Sequence, residues 1–337
     1  MPITKTPILL LGATGYIGGS VLYRLLSHPK ANTFDITVFV RDARKAGVAE
    51  SQFGVNAVIG SLADENKLEA LAEKAHVVFS CADADNLKSI NAILRGLSKR
   101  HATTGDTPIF IHTSGTGVLM DNAKGMYPTE TIYDDSNIAQ IESISETQPH
   151  RDVDLTIIEA DKQGFLKSYI ILPSTIYGRP ENPLVDAGFQ KNISVQIPAI
   201  IRASIDRGQG GMVGKGLSMW PSVHIDEVEN PEKVGHGREG FYFAESGEHR
   251  WYDISKEVSR VLVELGRGKS DEPTAFTREE LPKYFLSEDI GNSLGSNSRC
   301  RATRARSLGW HPKKTTKDML ASIKPEIEAI LESMGQK

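Results

Sequence analysis

Short apolar runs alternate with amphipathic stretches along the first half of the chain. The apolar run at residues 8–11 is followed at 16–26 by apolar residues spaced as on one face of a helix. Four later runs follow the same alternation, with helical patterns between them: DITVFVRD (35–42), VNAVIGSLAD (55–64), AHVVFSCAD (75–83) and TPIFIHTSG (107–115). Strands that alternate with helices predict an α/β fold with a doubly wound parallel sheet.

Three glycines lie where the first predicted strand passes into the first helix. Gly12, Gly15 and Gly18 have the spacing G-x-x-G-x-x-G. The first permits a tight turn, the second lets the backbone approach a pyrophosphate, and the third allows close packing of helix on strand. The N-terminus of the helix adds unpaired N–H groups and the positive end of a dipole. This context predicts a bound dinucleotide.

The end of the second predicted strand indicates which dinucleotide is bound. A free ribose 2'-hydroxyl is usually held there by an acidic residue, whereas a 2'-phosphate needs a cation. Arg41 occupies this position, Arg44 and Lys45 follow it, and Asp42 comes one residue too late. NADP is therefore favoured over NAD, with a solvated charged turn as the alternative.

Composition limits which binding partners and which cellular compartment we expect for the protein. The net charge of -4 provides no basic field for nucleic acid. Two cysteines, Cys81 and Cys300, favour a reducing compartment over a disulfide framework. No segment approaches the eighteen or so apolar residues that a membrane helix needs, and the first strand begins too early for a signal peptide. We expect a cytoplasmic protein that binds no membrane.

Several motifs together resemble one enzyme family. GATGYIGG (12–19), TSG (113–115), LPSTIYG (172–178), WPSVHIDEV (220–228) and RCRATRARSLGWHP (299–312) are similar to the extended short-chain dehydrogenase/reductases, which include NAD-dependent epimerases and dehydratases. The resemblance implies a Rossmann-type doubly wound parallel sheet with a smaller C-terminal substrate lobe. Residues 1–178 and about 213–228 are expected to form the nucleotide domain, and 179–212 and 235–337 the substrate lobe.

The resemblance also implies which residues contact the cofactor. In addition to Arg41, it assigns this role to Gly12, Thr14, Gly15, Tyr16, Ile17, Ser61, Leu62, Cys81, Ala82, Thr113, Pro173 and Ser174. Ser61 replaces the aspartate that is usual in the family. For Cys81 we favour a small buried filler over a reactive thiol.

Catalysis in the family uses a serine or threonine after the fifth strand and a Tyr-x-x-x-Lys on the next helix. Ser114 matches the first position, but no tyrosine between Ser114 and Pro173 has a lysine four residues later. Counting back from Pro173 places His150 at the tyrosine and Asp154 at the lysine, and an acid pair is a workable substitute. The alternative is a surface histidine beside a structural carboxylate. Tyr177 is a further candidate proton donor, although packing is more common at its position.

Three functions remain open. The leading one is an NADP-dependent oxidoreductase that acts on a small carbonyl or alcohol. The others are a non-catalytic, NmrA-like redox sensor and a nucleotide-sugar epimerase or dehydratase. No residue spacing suggests a metal site, and a homodimer is left open. A basic cluster either binds a diphosphate or, as we favour, forms a solvated helix face: Arg299, Arg301, Arg304 and Arg306.

Overall fold

The computed structural model describes residues 5–227 and 235–335. Its strands are β1 (Thr6–Leu11), β2 (Phe34–Val40), β3 (Asn56–Ile59), β4 (Val77–Ser80), β5 (Ile109–Thr113), β6 (Tyr133–Asp134), β7 (Lys167–Pro173), β8 (Thr175–Tyr177), β9 (Gly211–Met212), β10 (Met219–His224), β11 (Phe241–Ala244), β12 (Gly247–Arg250), β13 (Thr274–Ala275) and β14 (Cys300–Arg301). Its α-helices are α1 (Tyr16–Leu26), α2 (Ala43–Phe53), α3 (Glu65–Lys74), α4 (Leu87–Thr104), α5 (Ile138–Glu142), α6 (Arg151–Lys162), α7 (Pro183–Asp186), α8 (Gln196–Arg207), α9 (Trp251–Glu264), α10 (Glu280–Phe285), α11 (Glu288–Ser293), α12 (Thr303–Ser307) and α13 (Thr316–Ser333).

A seven-stranded parallel sheet organises the first part of the chain. Its order is β11-β7-β5-β4-β1-β2-β3. The direction of winding reverses between β1 and β4, and Leu11 at the end of β1 pairs with Ser80 at the end of β4. A crevice therefore opens at the carboxyl ends of these two strands, which is where such sheets bind ligands. The predicted Rossmann-type fold is confirmed.

Both faces of the sheet are covered by helices, which explains the uniformly apolar strands. Leu9 and Leu11 belong to the core under α3, α4 and α6. Ile8 and Leu10 belong to the core on the opposite face, under α1 and α2. Alternate residues of one strand are thus buried in two different cores, as expected for a parallel sheet between helix layers.

A separate core forms the second lobe. Helices α8, α9 and α13 pack together there, and α13 buries Met319, Ile323 and Ile327. In the sequence, apolar residues from Met319 to Leu331 recur at helical spacing, and this pattern predicts the C-terminal helix and its packing on this lobe. Among the described residues, no helix combines the length and the apolar character that spanning a bilayer requires.

The segment at about 213–228 was expected to belong to the nucleotide domain. Its strand β10 joins a three-stranded sheet of order β12-β10-β8, and Val223 of β10 is buried in the same core as Leu9 and Leu11. The strand that completes the main sheet beside β7 is β11, a short run of four buried residues (FYFA). The sequence did not predict β11, because its four apolar residues follow a charged stretch and are too few to indicate a strand of the main sheet. The outer ends of the predicted domains, residues 1, 228 and 337, lie outside the described residues.

Candidate active site

The turn between β1 and α1 admits only glycine at two of its positions. Gly12 has a φ of +80°, and a Cβ there would lie 2.3 Å from the carbonyl oxygen of Cys81. A Cβ on Gly18 would lie 2.3 Å from the carbonyl oxygen of Gly12. Around Gly15 the space is more open, and no side chain caps the helix that it precedes, so its first N–H groups are available to an anion. The same turn and helix start hold the other predicted cofactor residues, Thr14, Tyr16 and Ile17.

A segment that the sequence did not indicate lies over this turn. The side-chain amide of Gln190 donates to the carbonyl of Tyr16 at 3.0 Å, and the backbone N–H of Lys191 donates to that of Thr14 at 3.1 Å. The Tyr16 hydroxyl in turn donates to the carbonyl of Gly178 at 2.6 Å. These bonds tie the entrance of the second lobe to the phosphate turn. No local sequence pattern predicts these hydrogen bonds, because Tyr16 and Gly178 are 162 positions apart.

Four charged residues lie at the end of β2, and their environments differ. The carboxylate of Asp42 caps α2 and accepts from the backbone N–H groups of Arg44 and Lys45 at 2.8 and 3.3 Å. Arg41 is exposed and has no side-chain partner among the described residues. The Lys45 ammonium donates to the carbonyl of Phe189 at 3.0 Å, and burial lowers its pKa. Arg44 is likewise exposed and has no side-chain partner among the described residues, so Arg41 and Arg44 are the cations at this strand end that are available to a ligand.

The carboxyl ends of β3, β4 and β5 hold five more predicted cofactor residues. Ser61 is engaged in its own turn, where its backbone N–H donates to Asp64 at 2.7 Å, and Leu62 packs on the core. Thr113 donates to the sulfur of Cys81 at 3.5 Å, and burial raises the pKa of the Cys81 thiol to about 11. Such a thiol is not nucleophilic at neutral pH, in keeping with the filler role favoured above. The last of the five, Ala82, is exposed.

Pro173 and Ser174 lie at the carboxyl end of β7. The Ser174 hydroxyl is buried and donates to the carbonyl of Ala244 at 2.8 Å. The backbone N–H of Ser174 also donates to the carbonyl of Ala244, at 3.2 Å. Ser174 therefore holds the ends of β7 and β11 together, and it borders the crevice as part of the framework.

Ser114 directly follows β5 and is bonded to Asp154 of α6. The two side chains meet at 3.1 Å between Ser114 Oγ and Asp154 Oδ2. Ser114 is 7% exposed and Asp154 is fully buried. Burial raises the pKa of Asp154 to about 7, although the bond from Ser114 lowers it. The sequence placed both residues near the site but did not pair them with each other.

His150 lies at the start of α6, where it has a φ of +68°. Its partner is Asp85, which follows β4, and its Nδ1 lies 2.6 Å from Asp85 Oδ1. The expected pairing of His150 with Asp154 is therefore wrong. The left-handed backbone of His150 precedes the helix, so i, i+4 spacing does not bring these side chains together. The other ring nitrogen, Nε2, lies against the turn after Ser114, 3.2 Å from the position of a Cβ on Gly117.

Tyr177 is packed inside the second lobe. It is 1% exposed, and its hydroxyl donates to the carbonyl of Thr315 at 3.1 Å. Its ring meets that of His224 edge-on at 5.1 Å, and burial raises its pKa. A catalytic role for Tyr177 would require this hydroxyl to leave its acceptor. His224 contacts Tyr177 and borders Gly178.

The four arginines near the C-terminus bind acidic residues of the same chain. Arg299 and Arg301 both pair with Glu248, and Arg306 pairs with Glu245. The fourth, Arg304, donates to the carbonyl of Asp135. All four side chains therefore bond within the chain, but Arg301 and Arg306 keep 44% and 42% of their side chains exposed, so the expected solvated face is not contradicted. Within 5–227 and 235–335, no group of acidic, histidine or cysteine side chains is arranged to hold a metal ion.

Comparisons with known proteins agree with this architecture. The model of the NmrA-like family matches residues 4–143. A curated relative, Oxidase ucsJ from an Acremonium species, is 25% identical, and the alignment covers 98% of each chain.

Solved structures share the fold over nearly the whole length. UDP-glucose 4-epimerase from Thermotoga maritima, solved with UDP-glucose, has a TM-score of 0.64 at 17% identity, with 98% of this chain and 100% of that chain covered. The dTDP-glucose 4,6-dehydratase DesIV from Streptomyces venezuelae, solved as a double mutant with NAD, has a TM-score of 0.66 at 14% identity, with 98% and 99% covered. The fold that the resemblance implies, a Rossmann-type sheet like that of these epimerase and dehydratase structures, is confirmed.

Proposed function

We propose that the protein is an NADP-dependent oxidoreductase of the extended short-chain dehydrogenase type, acting on a small carbonyl or alcohol. The observation that carries the proposal is the convergence of two polar pairs on the turn at residues 115–117. Ser114 follows β5 and is bonded to Asp154 of α6. His150 lies at the start of α6 and is bonded to Asp85, which follows β4. Both pairs border the crevice at the carboxyl ends of the parallel strands, beside the glycine turn.

The residues of the crevice fit a nicotinamide dinucleotide. Gly12 keeps the turn close against the end of β4, where a Cβ would clash with the Cys81 carbonyl, and α1 begins without a side-chain cap. When bound, such a cofactor supplies a hydride to a carbonyl carbon or accepts one from an alcohol. Arg41 favours NADP, because an exposed guanidinium without a protein partner suits the 2'-phosphate. The capping role of Asp42 supports the same choice, since its carboxylate is already engaged.

The catalytic roles then follow from the two polar pairs. Ser114 donates a hydrogen bond to the substrate oxygen and orients it. His150 acts as the general acid in reduction and gives its proton to the same oxygen. Asp85 holds the imidazole through Nδ1, so that Nε2 faces the turn. The pair replaces the absent Tyr-x-x-x-Lys.

A second candidate function is a redox sensor that binds the dinucleotide without turnover. Two observations favour it: no tyrosine between Ser114 and Pro173 has a lysine four residues later, and the NmrA-like model matches residues 4–143. Nucleotide-sugar epimerisation or dehydration is a third candidate, suggested by the structural neighbours. It has less support, because Arg299, Arg301 and Arg306 already pair with Glu248 and Glu245.

The deciding experiment measures NADPH oxidation by the purified protein with a panel of aldehydes and ketones. We expect turnover with at least one carbonyl, and a loss of roughly a hundredfold or more in Ser114→Ala. Cofactor affinity, measured separately by calorimetry, should be nearly equal in the two proteins. Tight NADPH binding without turnover across the panel would favour the sensor, and absence of dinucleotide binding would refute both.

A further inference from the structure

The two carboxyl oxygens of Asp154 differ in their hydrogen bonding. Asp154 Oδ2 has one partner, Ser114 Oγ, whereas Asp154 Oδ1 has none among the described residues. The carboxyl group is fully buried. A buried carboxylate ion with one hydrogen bond carries a large desolvation cost, and the neutral acid avoids that cost.

Nearby charges do not remove this cost. Arg151 precedes Asp154 by one helical turn, but its guanidinium lies over the ring of Phe241, 5.6 Å from the centroid. Its Nη2 donates to the carbonyl of Ile141 at 3.0 Å. Arg151 lowers the pKa of Asp154, yet burial outweighs it and leaves the pKa at about 7.

The remaining surroundings of Asp154 also favour the neutral acid. Asp152 on the same helix and Asp85 on the loop before α4 both raise its pKa. Helix α4 contributes apolar side chains such as Leu94 and Leu97 to the core that it shares with α6. On β5, burial lowers the pKa of His112 to about 4, so this imidazole is neutral and adds no positive charge. The turn at 237–239 meets α6 at its other end.

The protonation state of Asp154 decides which way the Ser114 hydroxyl points. If the carboxyl is ionised it can only accept, so the Ser114 proton is directed toward Asp154 and away from the crevice. If the carboxyl is neutral, its own O–H donates to Ser114 Oγ, and the Ser114 proton is free to turn toward a ligand. Only the second arrangement offers a donor to a carbonyl oxygen.

We propose that Asp154 is a positioning residue whose neutral carboxyl group donates to Ser114 Oγ and thereby directs the Ser114 hydroxyl toward the carbonyl oxygen of the substrate. This inference rests on the proposed reductase function and adds a residue to it. Asp154 keeps its proton throughout, and the proton that completes the alcohol comes from His150. The pair therefore acts as a switch that permits carbonyl binding when Asp154 is neutral.

Asp154→Asn tests the switch, because an amide has nearly the same shape and its NH₂ group can donate to Ser114 Oγ at every pH. We expect this variant to retain kcat/KM for carbonyl reduction at low pH. Its profile should lack one of the ionisations by which the wild-type rate falls as pH rises. Asp154→Ala provides the contrast and should lose about tenfold or more at all pH values, since no group orients Ser114. NADPH affinity serves as the check on folding in both variants.

An infrared titration tests the same idea without turnover. The wild-type spectrum minus that of Asp154→Asn should show the carbonyl stretch of a protonated carboxyl near neutral pH. In Ser114→Ala this titration should move to higher pH, because the bond from Ser114 stabilises the ionised form.

The inference is overturned if Asp154→Asn is as impaired as Asp154→Ala, if its pH profile equals that of the wild type, or if no protonated carboxyl is found. Lack of any carbonyl reduction by the wild-type protein would instead refute the proposed function. In that case the infrared titration would still decide the state of Asp154.

Discussion

In the proposed function, Arg41 is the residue that favours NADPH over NADH. Its guanidinium is exposed and unpaired among the described residues, whereas the neighbouring carboxylate of Asp42 caps α2. We predict that Arg41→Ala weakens NADPH binding by roughly tenfold to a hundredfold, because a charged hydrogen bond to the 2'-phosphate is lost. NADH binding should be almost unchanged. Calorimetric titration with both cofactors measures the difference.

A matched control for Arg41 is Arg278→Ala, which removes another exposed guanidinium. Arg278 pairs with Glu288 in the second lobe, far along the chain from the strand ends. The variant Arg278→Ala should leave the affinity for both cofactors unchanged. Equal losses of NADPH and NADH affinity in Arg41→Ala would contradict the assignment of the 2'-phosphate to this residue.

His150 and its partner Asp85 form the second site that single substitutions can test. We predict that His150→Ala lowers turnover by about a hundredfold or more, the usual contribution of a positioned acid, with little change in cofactor affinity. Asp85→Asn should lower it less, because the amide can still accept from Nδ1. Steady-state kinetics of carbonyl reduction measures both effects.

His311→Ala is the control for His150, since His311 is an exposed histidine of the C-terminal segment. It should behave as the wild type does. If His150→Ala kept wild-type turnover, the general acid would have to be sought elsewhere, and Tyr177 would first have to release the carbonyl of Thr315.

At the scale of elements, the turn between β1 and α1 determines whether a dinucleotide can bind. Gly12 and Gly54 both have positive φ values, but only Gly12 is surrounded by backbone. We predict that Gly12→Ala abolishes dinucleotide binding, because its Cβ would force β1 and the end of β4 apart. Gly54→Ala should cost only the conformational strain of about 1 kcal/mol and leave binding intact.

Calorimetry together with urea denaturation separates the two effects of these glycine variants. Both should be less stable than the wild type, but only Gly12→Ala should fail to bind NADPH while it is still folded. Retention of binding by a folded Gly12→Ala protein would show that the close approach to Cys81 is not required.

At the scale of the whole molecule, a buried carboxyl on α13 makes stability depend on pH. Glu326 is 3% exposed, its Oε1 has no partner among the described residues, and burial raises its pKa to about 7 despite Arg179 and Arg202. Its ordinary value is near 4.5, so between pH 4.5 and about 7 the folded protein holds a proton that the unfolded chain has lost. Stability therefore falls as pH rises through this window.

We predict that the wild type loses up to about 1.4 kcal/mol of unfolding free energy for each pH unit in that window, relative to Glu326→Gln. Above it the difference should be constant, with the variant more stable. Urea denaturation at a series of pH values measures the difference. Glu328→Gln, an exposed position on the same helix, is the control and should give a flat difference curve. A flat curve for Glu326→Gln as well would contradict the raised pKa.

Much of the architecture could be predicted from local patterns. The apolar runs, the glycine spacing and the helical stripe of the last element are properties of neighbouring residues, and they correctly indicated the Rossmann-type sheet and helix α13. The short strand β11 was missed, because four apolar residues after a charged stretch do not distinguish a strand in the main sheet from one in the second lobe.

The sequence alone determined the fold class, the glycine turn, the cation at the end of β2 and the absence of the usual Tyr-x-x-x-Lys. Each of these depends on residue type and spacing within a few positions. Only the tertiary structure decided the partners of the polar side chains: Asp85 for His150, Asp154 for Ser114, and internal acids for the arginines. Such pairs join residues that are 65 and 40 positions apart, and burial of the whole domain, which no local pattern encodes, sets the pKa of Asp154.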